Sequence, residues 1–270
     1  MSESPPLVAA ESPPLRKRLR AHGVLAVRDG LTQPVARRIP IAWCRRIHRL
    51  RRRLEPRRYT DAHPFRLIEV DPASITGSLL PHAPKRPQWG RVIDGDWDQH
   101  AERFADRAVV RGLREHFEEG TPWRETALLA AFREQLSRFG NAWGYRSIEG
   151  FEPRCREIER LYTSLSTDGY RRQETLAGRD RPTLADRADE INVDIGRDGT
   201  LYWRAYGQHR LAIAKLLDLE SIPVLCHRRH RQWQAKRDRR RLTGATKATV
   251  DHPDLTPLTT RTGGTRAVTR

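Results

Sequence analysis

Residues 190–230 read EINVDIGRDGTLYWRAYGQHRLAIAKLLDLESIPVLCHRRH, and this stretch decides the fold. Apolar patterning predicts one strand before the Gly-Arg-Asp-Gly turn at 196–199 and a second strand after it. A helix is predicted to begin at Gly207, and Ile222 to Cys226 is predicted to form a third strand. Strands interspersed with a helix predict an α/β protein.

The centre of this stretch is the box Gly207-Gln208-His209-Arg210, where an extended segment becomes a helix. A helix N-terminus has unpaired amide groups and a partial positive charge, and glycine lets an anion approach the backbone closely. The box is therefore a candidate phosphate site. The alternative is a capped surface helix whose His209 and Arg210 face solvent or an acidic neighbour.

Upstream of this stretch, Phe65 to Val70 reads as the first strand of the core. Residues 99–178 are predicted to be a helical insertion within that core, because apolar residues recur there at helical spacing. Two stripes carry this pattern: Phe104, Ala108, Val109, Leu113 and Phe117, then Leu128, Leu129, Phe132 and Leu136.

The net charge of +17 lies on the flanks. Residues 1–58 hold 15 Lys/Arg and 4 Asp/Glu, residues 227–270 hold 12 and 3, and the middle is slightly acidic. Such flanks steer a protein towards a polyanion, whether nucleic acid or an anionic surface. Lys236 to Arg241 and the threonine-rich residues beyond them form a basic tail, 236–270.

Residues 1–15 are proline-rich and predict a disordered leader, and 16–58 predict a basic helical arm. Within that arm, apolar residues at helical spacing run through an arginine-rich sequence: Ile39, Trp43, Ile47, Leu50 and Leu54. A basic amphipathic helix of this kind lies on a membrane surface or on nucleic acid. The alternative is a helix that packs the stripe against its own domain.

The composition narrows the class of protein. No apolar run approaches the roughly 20 residues of a membrane span and no apolar signal core opens the chain, so we expect a cytoplasmic protein without a transmembrane segment. The three cysteines, Cys44, Cys155 and Cys226, are far apart, which fits neither a disulfide framework nor a zinc knuckle. The sequence leaves the oligomeric state open.

Three carboxylates occur within five residues at Asp94-Gly95-Asp96-Trp97-Asp98. Carboxylate oxygens are the ligands that magnesium prefers, although the spacing matches no calcium loop. Asp94 and Asp96 are therefore candidate metal ligands. The alternative is a turn at Asp94-Gly95 with solvated acids.

The hairpin at 196–199, the box, the helix that follows it and Ile222-Pro223-Val224 together resemble the ParB/sulfiredoxin-like superfamily. A weaker likeness at Arg66 to Ile75 would supply its first strand. ParB proteins have Gly-Glu-Arg-Arg at the box, sulfiredoxins Gly-Cys-His-Arg, and free-serine kinases of this fold Gly-His-His-Arg. The resemblance implies a mixed-sheet core at 59–235 that contains the helical insertion.

Two departures narrow what the resemblance implies. Gln208 occupies the place of the sulfiredoxin cysteine, so sulfinic-acid reduction is not expected. Only a basic, low-complexity tail follows Ile222-Pro223-Val224, where a partitioning ParB would carry a helix-turn-helix domain. Nucleotide handling is the property that remains shared.

The resemblance thus implies a phosphate site for ATP or CTP. Gly207, Gln208 and the following amides would cradle phosphates, Arg210 would pair with one phosphate oxygen, and His209 would donate to another. Past the last strand, Arg229 and His230 could swing over the same pocket, or simply end the strand in solvent.

Phosphoryl transfer needs a positioned nucleophile, charge neutralisation and usually Mg²⁺. We assign the metal or catalytic carboxylates to Asp94, Asp96 and Asp98, with Glu190 as a lesser candidate. The leading hypothesis is a nucleoside-triphosphate-binding protein that hydrolyses its ligand or transfers a phosphoryl group to an unidentified acceptor. The alternatives are a DNA-binding or nuclease-like protein and a noncatalytic nucleotide-sensing module.

Overall fold

The structure is a computed structural model that describes residues 33–79, 88–243 and 252–256. The helices in these ranges are α1 Gln33–Ala36, α2 Ile41–Leu54, α3 Ala108–Phe117, α4 Ala127–Phe139, α5 Ile148–Asp168, α6 Gln173–Leu176, α7 Leu184–Ala188, α8 Gln208–Leu216 and α9 Arg231–Thr243. The strands are β1 Leu67–Val70, β2 Gly77–Ser78, β3 Arg91–Ile93, β4 Glu102–Arg103, β5 Ile191–Ile195, β6 Leu201–Ala205 and β7 Ile222–His230.

Within these ranges, seven strands form one mixed sheet in the order β1-β7-β5-β6-β2-β4, with β3 also paired to β7. Strand β7 is parallel to β5 and β3 and antiparallel to β1. Strand β6 is antiparallel to β5 and parallel to β2. The predicted α/β class is therefore confirmed, and the 190–230 stretch supplies the strands at the centre of the sheet.

Strand β7 is longer than the sequence predicts, because it continues through His227 to His230. All nine of its residues are buried, including its last four, which are basic. Acidic partners neutralise part of this charge: Asp194 accepts from Arg228 and Arg204, and Asp254 accepts from Arg229. Buried charges of this kind persist only when they are paired and hydrogen-bonded.

The predicted insertion at 99–178 contains β4 and helices α3 to α6, and α7 lies between it and β5. Helices α3 and α4 pack closely, since a Cβ on Gly112 would lie 2.5 Å from the Cβ of Leu128. The prediction is wrong at residues 102–106, which form β4 and a short 3₁₀ turn instead of a helix. Phe104 is nevertheless buried, as its apolar character leads one to expect.

The two predicted flanks are only partly covered by the described residues. The leader at 1–15 and most of the tail lie outside them. Within the tail, α9 extends to Thr243, and residues 252–256 pack against the core. Asp254 is buried and accepts a hydrogen bond from the Trp233 indole at 3.0 Å, so this part of the predicted tail belongs to the folded domain.

Candidate functional site

The box begins helix α8, as predicted. Gly207 is the residue preceding the helix, with φ of 65° in the left-handed region, and its carbonyl accepts from the Leu211 amide at 2.9 Å. A Cβ at Gly207 would lie 2.6 Å from Cγ1 of Ile191 in the neighbouring strand. Both the conformation and the space therefore require glycine at this position.

Tyr206, immediately before the box, also adopts a left-handed conformation, with φ of 56°. Its carbonyl accepts from the Trp203 indole at 2.8 Å, which fixes the turn. A bulky residue in this conformation costs on the order of 1–3 kcal/mol, and such residues concentrate at functional sites. The strain therefore makes the β6–α8 junction a candidate functional site.

A cleft of about 760 Å³ lies at this junction. Ser78, at the end of parallel strand β2, lies beside Trp203 of β6, so the carboxyl ends of both strands point to this region. The volume is within the range of small-molecule pockets. The cleft is lined by Glu102, Arg103, Asp106, Arg107, Ala108, Val109, Trp143, Tyr145, Phe151, Arg154, Gln208 and His209.

Two helices begin at this cleft. Gln208 and His209 open α8, and Ala108 and Val109 open α3. The first amides of each helix have no acceptor within their own helix, and the helix dipole adds partial positive charge there. Two helix starts at one cleft favour an anionic ligand more than either would alone.

Arg107 precedes α3 and lines the cleft. Its Nη1 donates to the Ser78 hydroxyl at 3.3 Å, and its guanidinium lies 4.8 Å from the centre of the Trp203 ring. Its Nε is buried and has no hydrogen-bond partner within the described residues. Burial lowers the pKa of Arg107, and the negative charge of Glu102 offsets part of that shift.

Gln208 presents a second donor of the same kind. Its Nε2 is buried and has no hydrogen-bond partner among the described residues. A buried donor without an acceptor costs about 1–3 kcal/mol. A ligand rich in acceptor oxygens would satisfy both this amide and the Arg107 Nε.

His209 is neutral at pH 7. Burial, together with the positive charges of Arg154 and Arg210, lowers its pKa to about 4. A phosphate placed beside the ring would oppose both charges and raise this pKa.

The charged residues on the cleft wall are mainly basic. Arg103, Arg107 and Arg154 face two carboxylates, those of Glu102 and Asp106. With His209 neutral these side chains sum to a net charge of +1, and Arg154 is also paired with Glu157 at 2.8 Å.

The other wall of the cleft is aromatic. Trp143 is 44% exposed, lies in the left-handed region with φ of 50°, and contacts Phe132 and Phe151 with its ring. The turn that holds it is closed by reciprocal backbone hydrogen bonds between Ala142 and Tyr145, at 2.9 and 2.8 Å. An exposed indole held on a structured turn provides a flat surface for a planar ligand group.

Arg210 is not among the residues that line the cleft. Its guanidinium donates to the Tyr170 hydroxyl at 3.2 Å and to the Asp189 carbonyl, and it lies 3.9 Å from Glu190. One residue along a helix corresponds to a turn of about 100°, so Arg210 points elsewhere than its neighbour His209. The structure thus gives Arg210 a packing role in place of the predicted phosphate contact.

Glu190 is buried, and its carboxylate is engaged within the domain. It accepts from the Tyr170 hydroxyl at 2.8 Å and from the Gln173 amide at 2.9 Å. Burial raises the pKa of Glu190, and these hydrogen bonds with the Arg210 charge offset part of that rise. Its oxygens hold the insertion against β5 and do not reach the cleft, contrary to the catalytic role that the sequence suggested.

The three aspartates of the predicted metal loop are each paired with an arginine. Arg197 binds Asp98 through its Nε at 3.0 Å and Asp96 through Nη2 at 2.8 Å, and Arg231 binds Asp94 at 2.8 Å. In the described part of the chain, no three His, Cys, Asp or Glu side chains are grouped to hold a metal ion. The predicted metal site at Asp94 and Asp96 is therefore replaced by ion pairs.

This loop also lies at the wrong end of the sheet for the box. Asp98 contacts Arg197 just after β5 ends, whereas Gly207 packs on Ile191 where β5 begins. Four residue steps at about 3.3 Å each separate these ends by about 13 Å. Asp94, Asp96 and Asp98 therefore do not share a site with Gly207.

Arg229 and His230 belong to that same distant end, because Arg229 pairs with Ile195 in the sheet. Both side chains are buried and have hydrogen-bond partners. Arg229 binds Asp254 at 2.9 Å, and the His230 ring lies 2.8 Å from the Gly95 carbonyl. Neither can swing over the box as the sequence suggested.

The sequence reasoning missed the residues that complete the cleft, namely Arg103, Arg107, Trp143 and Arg154. Arg107 had a detectable signal, since it directly precedes the apolar stripe of α3, as Gly207 precedes that of α8. Trp143 lies between Asn141 and Gly144, which together predict a turn. Nothing in the spacing of Arg154 indicates that α5 would bring it to the same cleft.

Comparison with known proteins adds no assignment to this geometry. No family model, curated protein or solved structure matches the chain. The resemblance to the ParB/sulfiredoxin-like superfamily therefore depends on the quoted motifs alone, and the function must be argued from the cleft.

Proposed function

We propose that the cleft binds a nucleoside triphosphate, ATP or CTP, together with Mg²⁺. The observation that carries this proposal is the convergence of two helix starts and three arginines on one cleft. The box resemblance supports the same ligand class. A protein with this ligand would work in the cytoplasm, where nucleoside triphosphates are abundant.

In this proposal the phosphate chain lies between the starts of α3 and α8. The amides of Gln208 and His209 and the Gln208 side chain would donate to phosphate oxygens on one side. Arg107, whose Nε lacks a partner among the described residues, would donate on the other side. Arg103 and Arg154 would supply further positive charge.

The base would lie against Trp143 at the aromatic wall. Stacking of a base on an aromatic side chain contributes about 1–3 kcal/mol and tolerates any base. Trp143 would therefore raise the affinity for nucleotides above that for inorganic polyphosphate. The choice between ATP and CTP would depend on polar contacts at the rim of the cleft.

Glu102 and Asp106 fit a role near Mg²⁺, because they are the carboxylates that line the cleft. Two carboxylates suit a magnesium ion that takes its remaining ligands from phosphates and water. If the ligand is hydrolysed or its phosphoryl group transferred, one of these carboxylates is also placed to accept a proton from the attacking water or hydroxyl. They replace Asp94, Asp96 and Asp98 in that role.

A thermal-shift panel of ATP, CTP, GTP and nonhydrolysable analogues, with and without Mg²⁺, tests the proposal. A ligand at 100 times its Kd should stabilise the fold by about 2.7 kcal/mol. Arg107→Gln should abolish the shift, whereas Arg111→Gln, an exposed arginine one turn further along α3, should retain it.

The panel also separates the competing functions. Stabilisation by no nucleotide would overturn the proposal. Stabilisation by duplex DNA alone, weakening steeply with salt, would favour the nucleic-acid-binding hypothesis instead.

A further inference from the structure

Helix α2 carries an apolar stripe that faces solvent. The stripe consists of Trp43, Ile47, Leu50 and Leu54, which are 64%, 48%, 57% and 73% exposed. Their spacing of four, three and four residues places them in one row along the helix. Single exposed apolar residues are common on proteins, but a row of four is the signature of a docking surface.

The opposite face of α2 fixes this orientation. Ile41 and His48 are buried, and the His48 Nε2 lies 3.0 Å from the Thr60 carbonyl. The His48 ring also fills the space beside Gly90, where a Cβ would lie 2.5 Å from it. Because the helix is anchored on this side, the stripe cannot rotate into the core, and it does not pack against the residues of its own domain that the structure describes.

Arginines border the stripe. Helix α2 contains six arginines and no acidic residue: Arg45, Arg46, Arg49, Arg51, Arg52 and Arg53. The helical period places Arg46 and Arg53 along one side of the stripe and Arg51 along the other, and all three are exposed. The surface is therefore apolar at its centre and cationic on both borders.

This combination selects among the possible occupants. Nucleic acid would pair with the arginines but would leave the apolar row in water. A second copy of α2 would oppose six arginines with six more, and residues 1–32, with five Lys/Arg and three Asp/Glu, are also net basic. A bilayer with anionic headgroups complements both features, because its acyl chains would bury the apolar stripe and its phosphates would pair with the arginines.

We propose that α2 is a docking helix that lies in the interface of an anionic lipid membrane. None of the helices in the described ranges is long and apolar enough to cross a bilayer. The helix therefore lies along the membrane surface, with Trp43 and Leu54 near its two ends. This inference does not depend on nucleotide binding, because α2 contributes no residue to the cleft.

Co-sedimentation of the full chain with vesicles tests the inference. We expect binding to phosphatidylglycerol vesicles and little binding to phosphatidylcholine vesicles at ~0.15 M salt. Replacing the apolar row without changing charge, by Ile47→Ser with Leu54→Ser, should weaken binding at least about tenfold. The control is Leu242→Ser on helix α9, which carries six basic residues and one acid and whose leucine is 81% exposed but stands alone.

A second pair of variants tests the borders of the stripe. Arg46→Gln with Arg53→Gln should weaken binding by about tenfold or more, and more than Arg239→Gln with Arg241→Gln, which removes the same charge from α9. Equal losses from both pairs, or no loss from the serine variants, would show nonspecific attraction and overturn the inference. A wild-type dimer that the serine variants convert to monomer would overturn it too, by assigning the stripe to contacts between copies.

Discussion

Individual polar atoms give the cleft its chemistry. The Arg107 Nε and the Gln208 Nε2 are buried donors without an acceptor in the described part of the chain, and they lie at the starts of two different helices. Buried polar atoms of this kind are normally satisfied by protein groups, ordered water or a ligand. A bound phosphate would accept hydrogen bonds from both atoms. These two atoms are therefore stronger evidence for an anion site than the basic charge of the flanks.

Trp143 allows the base contact to be separated from the phosphate contact. Trp143→Ala should weaken nucleotide binding by about tenfold or more, because it removes the stacking surface. Binding of inorganic triphosphate should be unchanged, and Trp143→Phe should retain most of the nucleotide affinity. Calorimetric titration of each variant with both ligands measures this, and equal losses for the two ligands would contradict a base-stacking role.

His209 should make stability depend on pH. Its pKa in the folded state is about 4, below the ordinary value of 6.5, so the unfolded chain binds more protons between these values. Its contribution to stability is therefore complete above pH 6.5 and is lost as the pH falls to about 4. The pKa of His63 is also lowered to about 4, so the test compares the wild type with His209→Gln.

Urea titrations measure the free energy of unfolding of both proteins at pH 6.5 and at pH 4. The loss between these pH values should be smaller for His209→Gln than for the wild type, by on the order of 1–3 kcal/mol. Saturating nucleotide should also raise the His209 pKa, as seen in the NMR titration of its ring. Identical pH profiles for the two proteins would show that His209 is already solvated.

At the scale of elements, the β6–α8 junction is the structure on which the cleft depends. Tyr206 and Gly207 occupy successive left-handed conformations, which turn the chain sharply from strand to helix. The turn places the first amides of α8 beside the start of α3. The cleft is thus built by one tight junction together with α3, α5 and the turn before α5.

Gly207→Ala should destabilise the protein by more than its conformation alone predicts. The new methyl group would lie 2.6 Å from Ile191, in addition to the cost of a left-handed alanine. Gly178→Ala is the matched control, with φ of 61° and no atom within 4 Å of the added Cβ. Urea denaturation should show a loss about 1–3 kcal/mol greater for Gly207→Ala, and equal losses would contradict the close contact with Ile191.

Local patterns were sufficient to predict most elements. The turn at 196–199, the helix start at Gly207 and the first strand near Val70 each follow from a few adjacent residues, and the structure confirms them. Strand β7 is longer than predicted because its basic end is buried by distant acids, such as Asp254, which lies 25 residues beyond Arg229. A pattern read along the sequence does not reveal a partner so far away.

The same limit of local sequence patterns explains which residues of the cleft could be predicted. The box was found because its residues are contiguous, whereas Arg107, Trp143 and Arg154 reach it only through the packing of α3 and α5. Asp94 and Asp96 were selected for their chemistry, and nothing in their spacing shows that Arg231 and Arg197 would neutralise them. Residue type thus selected carboxylates that are ion-paired in the structure and lie away from the box.

For the whole molecule, the sheet separates two polar regions. The cleft lies where β5 begins, and the aspartate loop, Arg229 and Asp254 lie where β5 ends. The second region consists of buried ion pairs, since Asp254 binds both Arg229 and Arg237. These charges lower the pKa of Asp254 despite its burial, so its pairing persists in mild acid. We therefore regard this region as structural.

Asp254→Ala should destabilise the whole domain by about 3–5 kcal/mol, because it leaves two buried arginines without their shared partner. Asp180→Ala, which removes an exposed acid, should change stability by less than about 0.5 kcal/mol. Chemical denaturation of both variants measures the difference. A loss below about 1 kcal/mol for Asp254→Ala would contradict the view that residues 252–256 are part of the fold.

In our proposal, nucleotide binds at the α3–α8 cleft and not at the aspartate loop. Calorimetric titration of ATP and CTP with Mg²⁺ into two double variants tests it most directly. Arg107→Gln with Gln208→Ala should weaken binding at least about a hundredfold, as expected when two polar contacts to phosphate are lost. Asp94→Asn with Asp96→Asn should bind like the wild type. Binding that survives the first pair of substitutions and fails with the second would contradict the account.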